Sequence, residues 1–277
     1  MVFNSKTEKL MVCLSALVLM YSPAHALDTI SVGVAANFAD TLAEIKGNFE
    51  NDYPDYEVSY TADSTGNIKN AIINGNSPGY DLFLSADTAA PADLYNNYPS
   101  LVIGSPFTYA KGSILLWSST ANGLNVSGGL AYPIADNLVI ANPTTAPYGA
   151  AAATVLGQSP WNITTIPGGY VYTASNIDAT YSAVAAGTYK QGFIAKSKVC
   201  RFTPPSTYSY NALGNTYSYK EYLYNDGTHP YSRIVQDGIK INHSRTSGQE
   251  AALSAFVSYL GGASGQATIS KYCYDLP

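Results

Sequence analysis

The sequence predicts an α/β fold with mainly parallel sheets. From Thr29 onward, short apolar segments suited to buried strands alternate with segments whose apolar residues recur at helical spacing. Glycines and small polar residues stand at the boundaries between them, where turns and helix caps are expected. Hydrophobic residues make up 46% of the chain and charged residues only 12%, so a sizeable core can form.

The first part of the chain contains two strand–helix pairs. The segment TISVGVAAN is a predicted strand, and apolar residues from Phe38 to Phe49 then recur on one face of a predicted helix. The segment STGNIKNAIING is a predicted helix that begins after small polar residues and ends at Gly75. The segment YDLFLSAD follows as a buried strand.

The second part of the chain repeats the alternation. Strands are predicted over GSILLWS, NLVIANP, GGYVYTASN and GFIAKS, and helices over YGAAAATVLG, IDATYSAVAAG and GQEAALSAFVSYLGG. One stretch has no clear period: Phe202 to Tyr231 contains seven of the 24 tyrosines together with Pro204 and Pro205. This stretch is predicted to form a long ordered loop or an irregular hairpin on the surface.

The first 26 residues have the composition of a secretory signal peptide. Lys6 and Lys9 precede an apolar run from Leu10 to Met20, and Ala24 and Ala26 form an A-x-A cleavage pattern. A transmembrane helix is the alternative, but the run is shorter than the roughly 18 residues that span a bilayer. Cleavage after Ala26 would leave a secreted protein of about 250 residues, enough for one large or two small domains.

Charge and motif content exclude several classes of function. The formal net charge is −5 and no basic cluster occurs, so no nucleic-acid partner is expected. Three histidines are too few for a zinc pattern, and the sequence lacks a Gly-x-Ser-x-Gly elbow, a phosphate loop and a Gly-x-Gly-x-x-Gly motif. We therefore expect neither an enzyme nor a bound cofactor.

Two cysteines, Cys200 and Cys273, follow the predicted cleavage site. Because secretion carries the chain to an oxidising compartment, a disulfide between them is expected. Two buried free thiols are the alternative.

The segment ANPTTAPYGAAAATVLG places a helix-forming alanine run directly behind Pro147, Tyr148 and Gly149. The first N–H groups of a helix have no partner within it and carry a partial positive charge, so they can bind an anion. Gly149 would also let a ligand approach the backbone closely. This junction is therefore a candidate anion site.

Three other strand-to-helix junctions have similar residues, at Asn37, at Ser64–Thr65 and at Asn176–Ile177. In α/β proteins, ligands bind at the carboxyl ends of the strands, where such junctions gather. Ordinary helix capping is the alternative explanation of these residues, because every α/β protein needs caps.

Together, several segments resemble the periplasmic molybdate-binding proteins of ABC importers, in particular the subgroup with AANF and APYG motifs. They are, in order, VAANFADTLAEIKGNFE, STGNIKNAIINGNSPGYDLFLSAD, FTYAKGSILLWS, NLVIANPTTAPYGAAAATVLG and GFIAKS. The likeness runs from about Ile30 to Val199 and resumes more loosely from about His229 to the end.

The resemblance implies a two-lobed periplasmic binding protein fold with the ligand in the cleft between the lobes. The implied divisions are a signal peptide over 1–26, the first lobe over 27–108, the second lobe over 109–229 and a return to the first lobe over 230–277. It also implies a monomer that delivers molybdate or tungstate to an ABC permease in the inner membrane.

In that family the tetrahedral oxyanion is held without a cation, so no metal ligands are implied beyond the metal inside the oxyanion itself. Carried over position by position, the contacts fall on Asn37, Thr65, Tyr148 and Ile177, with Ser64 as a neighbouring candidate. Tyr148 and Ile177 are implied to act at least partly through backbone N–H groups.

Two residues depart from the family pattern. Other relatives have a ligand tyrosine where this chain has Ala195, so the Tyr148 hydroxyl is a candidate substitute from the opposite lobe. Relatives usually have a small residue at the position of Asp63, where a carboxylate would repel an anion unless it points away or accepts a proton.

Two alternative functions stay open from the sequence. One is binding of another anion, such as sulfate, in the same fold. The other is a tyrosine-rich surface adhesion or glycan-binding protein that uses the stretch from Phe202 to Tyr231. A secreted hydrolase is disfavoured, because no nucleophile and base can be assembled.

Overall fold

The computed structural model describes residues 26–277, so the predicted signal peptide, apart from Ala26, lies outside the described residues. None of the helices in this part of the chain is long and apolar enough to cross a membrane.

Strands and helices alternate along most of the described chain. The strands are β1 (Asp28–Ala35), β2 (Tyr56–Asp63), β3 (Leu82–Leu84), β4 (Val102–Gly112), β5 (Ile114–Ser119), β6 (Leu138–Ala141), β7 (Val171–Ala174), β8 (Gln191–Ala195), β9 (Arg201–Thr203), β10 (Thr207–Ser209), β11 (Thr216–Tyr222) and β12 (Ile234–Ile241). The α-helices are α1 (Ala39–Asp52), α2 (Thr65–Ile73), α3 (Ala89–Asn97), α4 (Pro147–Leu156), α5 (Ile177–Ala185), α6 (Lys196–Val199), α7 (Ser247–Gly261) and α8 (Ala263–Lys271).

Two five-stranded sheets organise the fold, with strand orders β2-β1-β3-β12-β4 in the first sheet and β11-β5-β8-β6-β7 in the second. Helices flank both sheets, so the predicted α/β class is confirmed. Each sheet contains two parallel and two antiparallel pairings, so the expectation of mainly parallel sheets is wrong. Each antiparallel pairing contains β5 or β12, which are the first strands after the chain passes from one sheet to the other.

Apolar periodicity accounts for the core of the first sheet. Ile30, Val32 and Val34 of β1 are fully buried, and they share one cluster with the apolar face of α1, which includes Leu42 and Phe49. The predicted helix from Phe38 to Phe49 therefore forms, because its apolar stripe packs on this strand. In the second sheet, β5, β6 and β8 are buried along their whole length.

The stretch from Phe202 to Tyr231 is more regular than predicted. Strands β9 and β10 pair as a short hairpin, which matches the prediction, but β11 is an edge strand of the second sheet and not a loop. Tyr222 and Tyr231 are buried, and the Tyr231 hydroxyl donates to the Tyr222 carbonyl at 2.8 Å. Tyr208 and Tyr217 are exposed.

Cys200 and Cys273 form a disulfide, with their Cα atoms 5.9 Å apart. The predicted pairing is confirmed, and the alternative of two free thiols is wrong. Cys200 follows β8 and α6 of the second sheet, whereas Cys273 follows α8, which contacts α1 and α7 beside the first sheet. The disulfide therefore ties together the parts of the chain that surround the two sheets.

Candidate functional site

A small cavity lies where helices and strand ends of the two sheets meet. Its lining residues are Ala35, Ala36, Asn37, Ser64, Thr65, Ala86, Ala146, Pro147, Tyr148, Asn176 and Ile177. The cavity has a volume of about 10 Å³, which is room for about one water-sized group. All five residues predicted to contact a ligand, Asn37, Ser64, Thr65, Tyr148 and Ile177, line this one cavity.

Three helices begin at the cavity. Thr65 and Ile177 are the first residues of α2 and α5, and Tyr148 is the second residue of α4, after Pro147. N–H groups in a first helical turn have no partner within the helix, and the helix dipole makes this end electropositive. The cavity can therefore present backbone donors from three directions to an anion.

Side chains next to two of these helix starts act as caps. The Ser64 Oγ accepts a hydrogen bond from the Asn67 N–H at 3.3 Å, and the Asn176 Oδ1 accepts one from the Ala179 N–H at 2.9 Å. The capping interpretation is therefore correct for Ser64 and Asn176, and it does not conflict with a ligand role for the N–H groups that the caps leave free. It is wrong for Asn37, which lies inside a 3₁₀ helix and does not cap α1.

The Thr65 hydroxyl is placed to donate into the cavity. Its Oγ1 accepts a hydrogen bond from the Ala86 N–H at 3.0 Å, and both residues line the cavity. Because a hydroxyl accepts and donates at once, this bond leaves the hydroxyl proton of Thr65 for a ligand.

Asn37 is the centre of a buried hydrogen-bond network that joins both sheets. It lies in a 3₁₀ turn between β1 and α1, and its Nδ2 donates to Gln236 Oε1 at 2.8 Å and to the hydroxyls of Tyr274 at 3.0 Å and Tyr148 at 3.3 Å. Its Oδ1 is buried without a hydrogen-bond partner among the described residues. Because acceptors of the protein occupy its Nδ2 group, we expect the amide of Asn37 to turn when it donates to an anion.

Four other residues of this network surround Asn37. We call Asn37, Tyr109, Tyr148, Gln236 and Tyr274 the tyrosine–amide cluster. The Gln236 Nε2 donates to the Tyr148 hydroxyl at 3.1 Å, and the Tyr109 hydroxyl contacts Gln236 Oε1 at 3.1 Å. The Tyr148 hydroxyl is thus engaged inside the protein, and its ring fills the space above Gly112, where an added Cβ would lie 1.8 Å from that hydroxyl.

Burial raises the pKa of Tyr274 to about 12 and raises those of Tyr109 and Tyr148 well above their ordinary value of 10. In the unfolded chain these phenols lose their protons near pH 10, while the folded protein keeps them, so the unfolded state binds fewer protons above that pH. We therefore expect the free energy of unfolding to be unaffected by these groups below pH 10 and to fall between about pH 10 and 12. Urea unfolding at a series of pH values measures the free energy of unfolding, and tyrosinate absorbance measures the titration of the phenols.

The variant Tyr274→Phe provides the control for the alkaline loss. It removes one of the three phenols of the tyrosine–amide cluster, so its stability should fall less steeply than that of the wild type above pH 10. Equal slopes for both proteins would show that the loss arises from other groups.

Asp63 does not line the cavity, although it stands at the end of β2 beside it. Its Oδ1 accepts hydrogen bonds from the Ser64 N–H at 2.7 Å and from Asn176 Nδ2 at 3.3 Å, and its Oδ2 accepts one from Asn67 Nδ2 at 3.0 Å. The carboxylate is thus turned toward donors of the protein. With this orientation, the carboxylate of Asp63 points away from an anion in the cavity.

Ala195 lies at the end of β8, is buried and does not line the cavity. It is the N-cap residue of α6, and in that helix the Ser197 hydroxyl donates to the Asn37 carbonyl at 3.2 Å. The site is therefore assembled without a side-chain donor at position 195.

Gly149 has a packing reason that the sequence did not predict. A Cβ at this position would lie 2.2 Å from the carbonyl oxygen of Ala141, because the first turn of α4 packs against the end of β6. The glycine is required by helix–strand packing, and this packing holds the N-terminus of α4 at the cavity.

We expect Gly149→Ala to lower the free energy of unfolding by about 1–3 kcal/mol, because the methyl group overlaps backbone atoms that cannot rotate away. Chemical denaturation measures the effect. The matched control is Gly47→Ala in α1, where an added Cβ has no neighbour within 4 Å, and there we expect a stabilisation of about 0.5–1 kcal/mol. Similar effects at both positions would contradict the packing explanation.

Sequence reasoning missed Tyr109, Gln236 and Tyr274. Gln236 and Tyr274 lie 199 and 237 residues from Asn37 along the chain, in β12 and after α8. No local motif marks these positions, because each belongs to the site only through the pairing of β12 in the first sheet and the docking of the C-terminal segment.

A cavity enclosed between two α/β sheets and lined by helix N-termini is the architecture of a solute-binding protein. The chain belongs to the family described as bacterial extracellular solute-binding protein, whose model matches residues 30–275. It is 31% identical to the molybdate-binding protein ModA of Azotobacter vinelandii over 249 residues, which cover 89% of this chain and 90% of the relative. It is 29% identical to the molybdate-binding protein ModA of Rhodobacter capsulatus, covering 91% of this chain and 90% of the relative.

The fold is also similar to a solved structure. The periplasmic molybdate-binding protein of Azotobacter vinelandii superimposes with a TM-score of 0.74 at 29% sequence identity, over 90% of this chain and 99% of the solved chain. These relatives are thus described as molybdate-binding proteins, and one of them is described as periplasmic.

Proposed function

We propose that this protein captures molybdate or tungstate as the tetrahedral oxyanion in the periplasm and delivers it, as a monomer without enzymatic activity, to an ABC permease. The single observation that carries the proposal is the cavity in which Asn37, Thr65, Tyr148 and Ile177 meet, with Ser64 beside them. Three helix starts aim neutral donors at one small volume, as a compact anion requires.

The chain's charge makes local donors necessary. With a net charge of −5, long-range attraction does not favour a dianion. A hydrogen bond to a charged group contributes roughly 1.5–3 kcal/mol, and micromolar affinity needs about 8 kcal/mol. A few well-aimed N–H and O–H groups therefore suffice, and no buried lysine is left unpaired when the cavity is empty.

We infer that the anion binds between two lobes that move about the connections between the sheets. The proposed lobes are 27–108 with 230–277, and 109–229. Strand β4 ends at Gly112 and strand β12 starts at Ile234, and both belong to the first sheet. Their positions support this division to within a few residues. A hinge motion about these connections would admit an anion to a cavity that is small when closed.

Thermal unfolding of the mature protein with molybdate, tungstate, sulfate or phosphate tests the proposal. A ligand at about one hundred times its dissociation constant stabilises a protein by about 2.7 kcal/mol, which shifts the melting temperature measurably. We expect a rise with molybdate and tungstate alone. A rise with sulfate instead would support the alternative anion, and no rise with any of the four would contradict the proposed function.

Tyr148→Phe tests how the α4 residue would act. The backbone N–H of Tyr148 is unchanged by this substitution, whereas the hydroxyl already accepts from Gln236 and Asn37. We expect the affinity for molybdate to fall by less than about a hundredfold in titration calorimetry, the equivalent of one hydrogen bond. A larger loss would mean that the hydroxyl contacts the anion.

The alternative of surface adhesion or glycan binding depends on the rings of Tyr208 in β10 and Tyr217 in β11, which are each 53% exposed. Replacing both with serine should leave molybdate affinity unchanged if anion capture is the function. A loss of binding to a glycan surface, with anion binding intact, would support the alternative.

A further inference from the structure

Two hydrogen bonds cross between the two sheets at the rim of the cavity. The Gly66 N–H in the first turn of α2 donates to the carbonyl of Thr145, ahead of α4, at 2.9 Å. The Asn176 Nδ2 at the start of α5 donates to the Asp63 carboxylate at the end of β2 at 3.3 Å. Each bond pairs a group next to a cavity-lining helix start with a group on the opposite side.

The Asp63 carboxylate is held in one orientation by its own side of the cavity. The Ser64 N–H and Asn67 Nδ2 donate to its two oxygens at 2.7 Å and 3.0 Å. With this orientation fixed, the remaining acceptor capacity of Oδ1 faces Asn176 across the cavity rim.

Asn176 is fixed equally well on the other side. Its Oδ1 caps α5 by accepting from the Ala179 N–H at 2.9 Å, which directs its Nδ2 toward Asp63. Its neighbour Ile177 lines the cavity with a backbone N–H at the first position of α5. The contact between Asn176 and Asp63 therefore holds this N–H in place over the cavity.

We propose that Asp63 is a positioning residue that latches the cavity closed through Asn176 and so slows the release of the bound oxyanion. This inference rests on the proposed function. The Asp63–Asn176 bond exists only when the two sides are together, so it adds to the stability of the closed arrangement and shifts the equilibrium toward it. A hydrogen bond to a partly buried charged group should slow release about tenfold.

The latch and a direct effect of the charge predict opposite results. If Asp63 acted on the anion mainly by repulsion, removal of its carboxylate would tighten binding. If it acts as a latch, Asp63→Ala speeds release, and Asp63→Asn, which keeps an oxygen that can accept from Asn176, restores most of the slow release. The conservative variant thus separates the two effects.

The experiment measures the rate of molybdate release in the full mature protein by stopped-flow fluorescence. The variants are Asp63→Ala, Asp63→Asn, Asn176→Ser and the double variant Asp63→Ala/Asn176→Ser. Serine is the matched control at position 176, because it can still cap α5 but is too short to reach Asp63. We expect both Asp63→Ala and Asn176→Ser to release molybdate about tenfold faster, and the double variant to release it no faster than either single variant.

Three results would overturn the latch: unchanged or slower release in Asp63→Ala, independent and additive effects in the double variant, or no rescue by Asp63→Asn. A wild-type protein that binds none of the four oxyanions would instead refute the proposed function. In that event small-angle scattering decides on the latch, because a latch predicts a larger radius of gyration for Asp63→Ala than for the wild type. An equal radius would overturn it.

Discussion

The double variant Cys200→Ala/Cys273→Ala is expected to unfold with a free energy about 4 kcal/mol below that of the oxidised wild type, because the disulfide closes a loop of 73 residues. Domains of this kind have total stabilities of about 5–15 kcal/mol, so the loss is a large fraction of the whole. Urea denaturation of both proteins under oxidising conditions measures it.

Other contacts at the same place should keep the variant folded. The Lys198 ammonium lies 2.9 Å from the Asp40 carboxylate of α1 and 2.5 Å from the Asp178 carboxylate of α5. The Arg201 guanidinium lies 3.7 Å from the centre of the Tyr272 ring. These contacts also join segments that surround the two sheets. The variant therefore loses the disulfide but keeps the packing of these segments against one another.

Reduced wild-type protein is the control that separates the crosslink from the packing of the sulfur atoms. If the crosslink is responsible, the reduced wild type and the double alanine variant should have equal stabilities. A reduced wild type as stable as the oxidised protein would contradict the expected effect, and a variant much weaker than the reduced protein would assign the loss to packing around Cys200, which is fully buried.

The elements that sequence reasoning found are those with a strong local signal. Helix α1 has an apolar stripe, α4 has an alanine run behind a proline, and α7 has a capping box in which Thr246 and Gln249 reciprocate. These signals depend only on neighbouring residues, so they are readable without tertiary structure.

Two of the missed strands, β2 and β11, have no such signal. Strand β2 has one buried residue in the segment YEVSYTAD, and β11 has the polar sequence TYSYKEY. Both are edge strands, which need little apolar surface, and their pairing partners are chosen by the sheet that forms around them. The balance of parallel and antiparallel pairs could not be predicted either, because it depends on β5 and β12, the first strands after the chain passes from one sheet to the other.

The candidate site divides in the same way. The helix starts at Thr65, Tyr148 and Ile177 follow from capping and turn chemistry, and the structure brings them together at one cavity. Gln236 and Tyr274 have no local feature that marks them, because they reach the cluster only through long-range pairing and docking. The sequence therefore indicates which residues can face a ligand but not which residues hold them there.

Asn37→Ala is expected to weaken molybdate binding by about 10–100-fold. It removes a side-chain donor that can turn toward the anion, and the loss of one or two hydrogen bonds to the anion has an effect of this size. The same substitution leaves the Gln236 Oε1 acceptor and the hydroxyls of Tyr148 and Tyr274 without their shared partner. We therefore also expect the free energy of unfolding to fall by about 1–3 kcal/mol. Titration calorimetry measures the first effect and urea unfolding the second.

The variant Asn37→Ser distinguishes the two roles of this residue. A serine hydroxyl keeps a donor at the cavity but is too short to bridge Gln236 and Tyr274, so it should recover much of the affinity and little of the stability. If Asn37→Ser loses affinity and stability in parallel with Asn37→Ala, then Asn37 serves only to join the two sheets. Unchanged affinity in Asn37→Ala would remove the residue from the binding site. In the structure, the Nδ2 group of Asn37 donates to three partners within the tyrosine–amide cluster. Recovery of affinity by serine would therefore mean that, in the wild type, the anion competes with these partners for the Asn37 donor. Anion binding and the contact between the two sheets would then depend on the same hydrogen bonds.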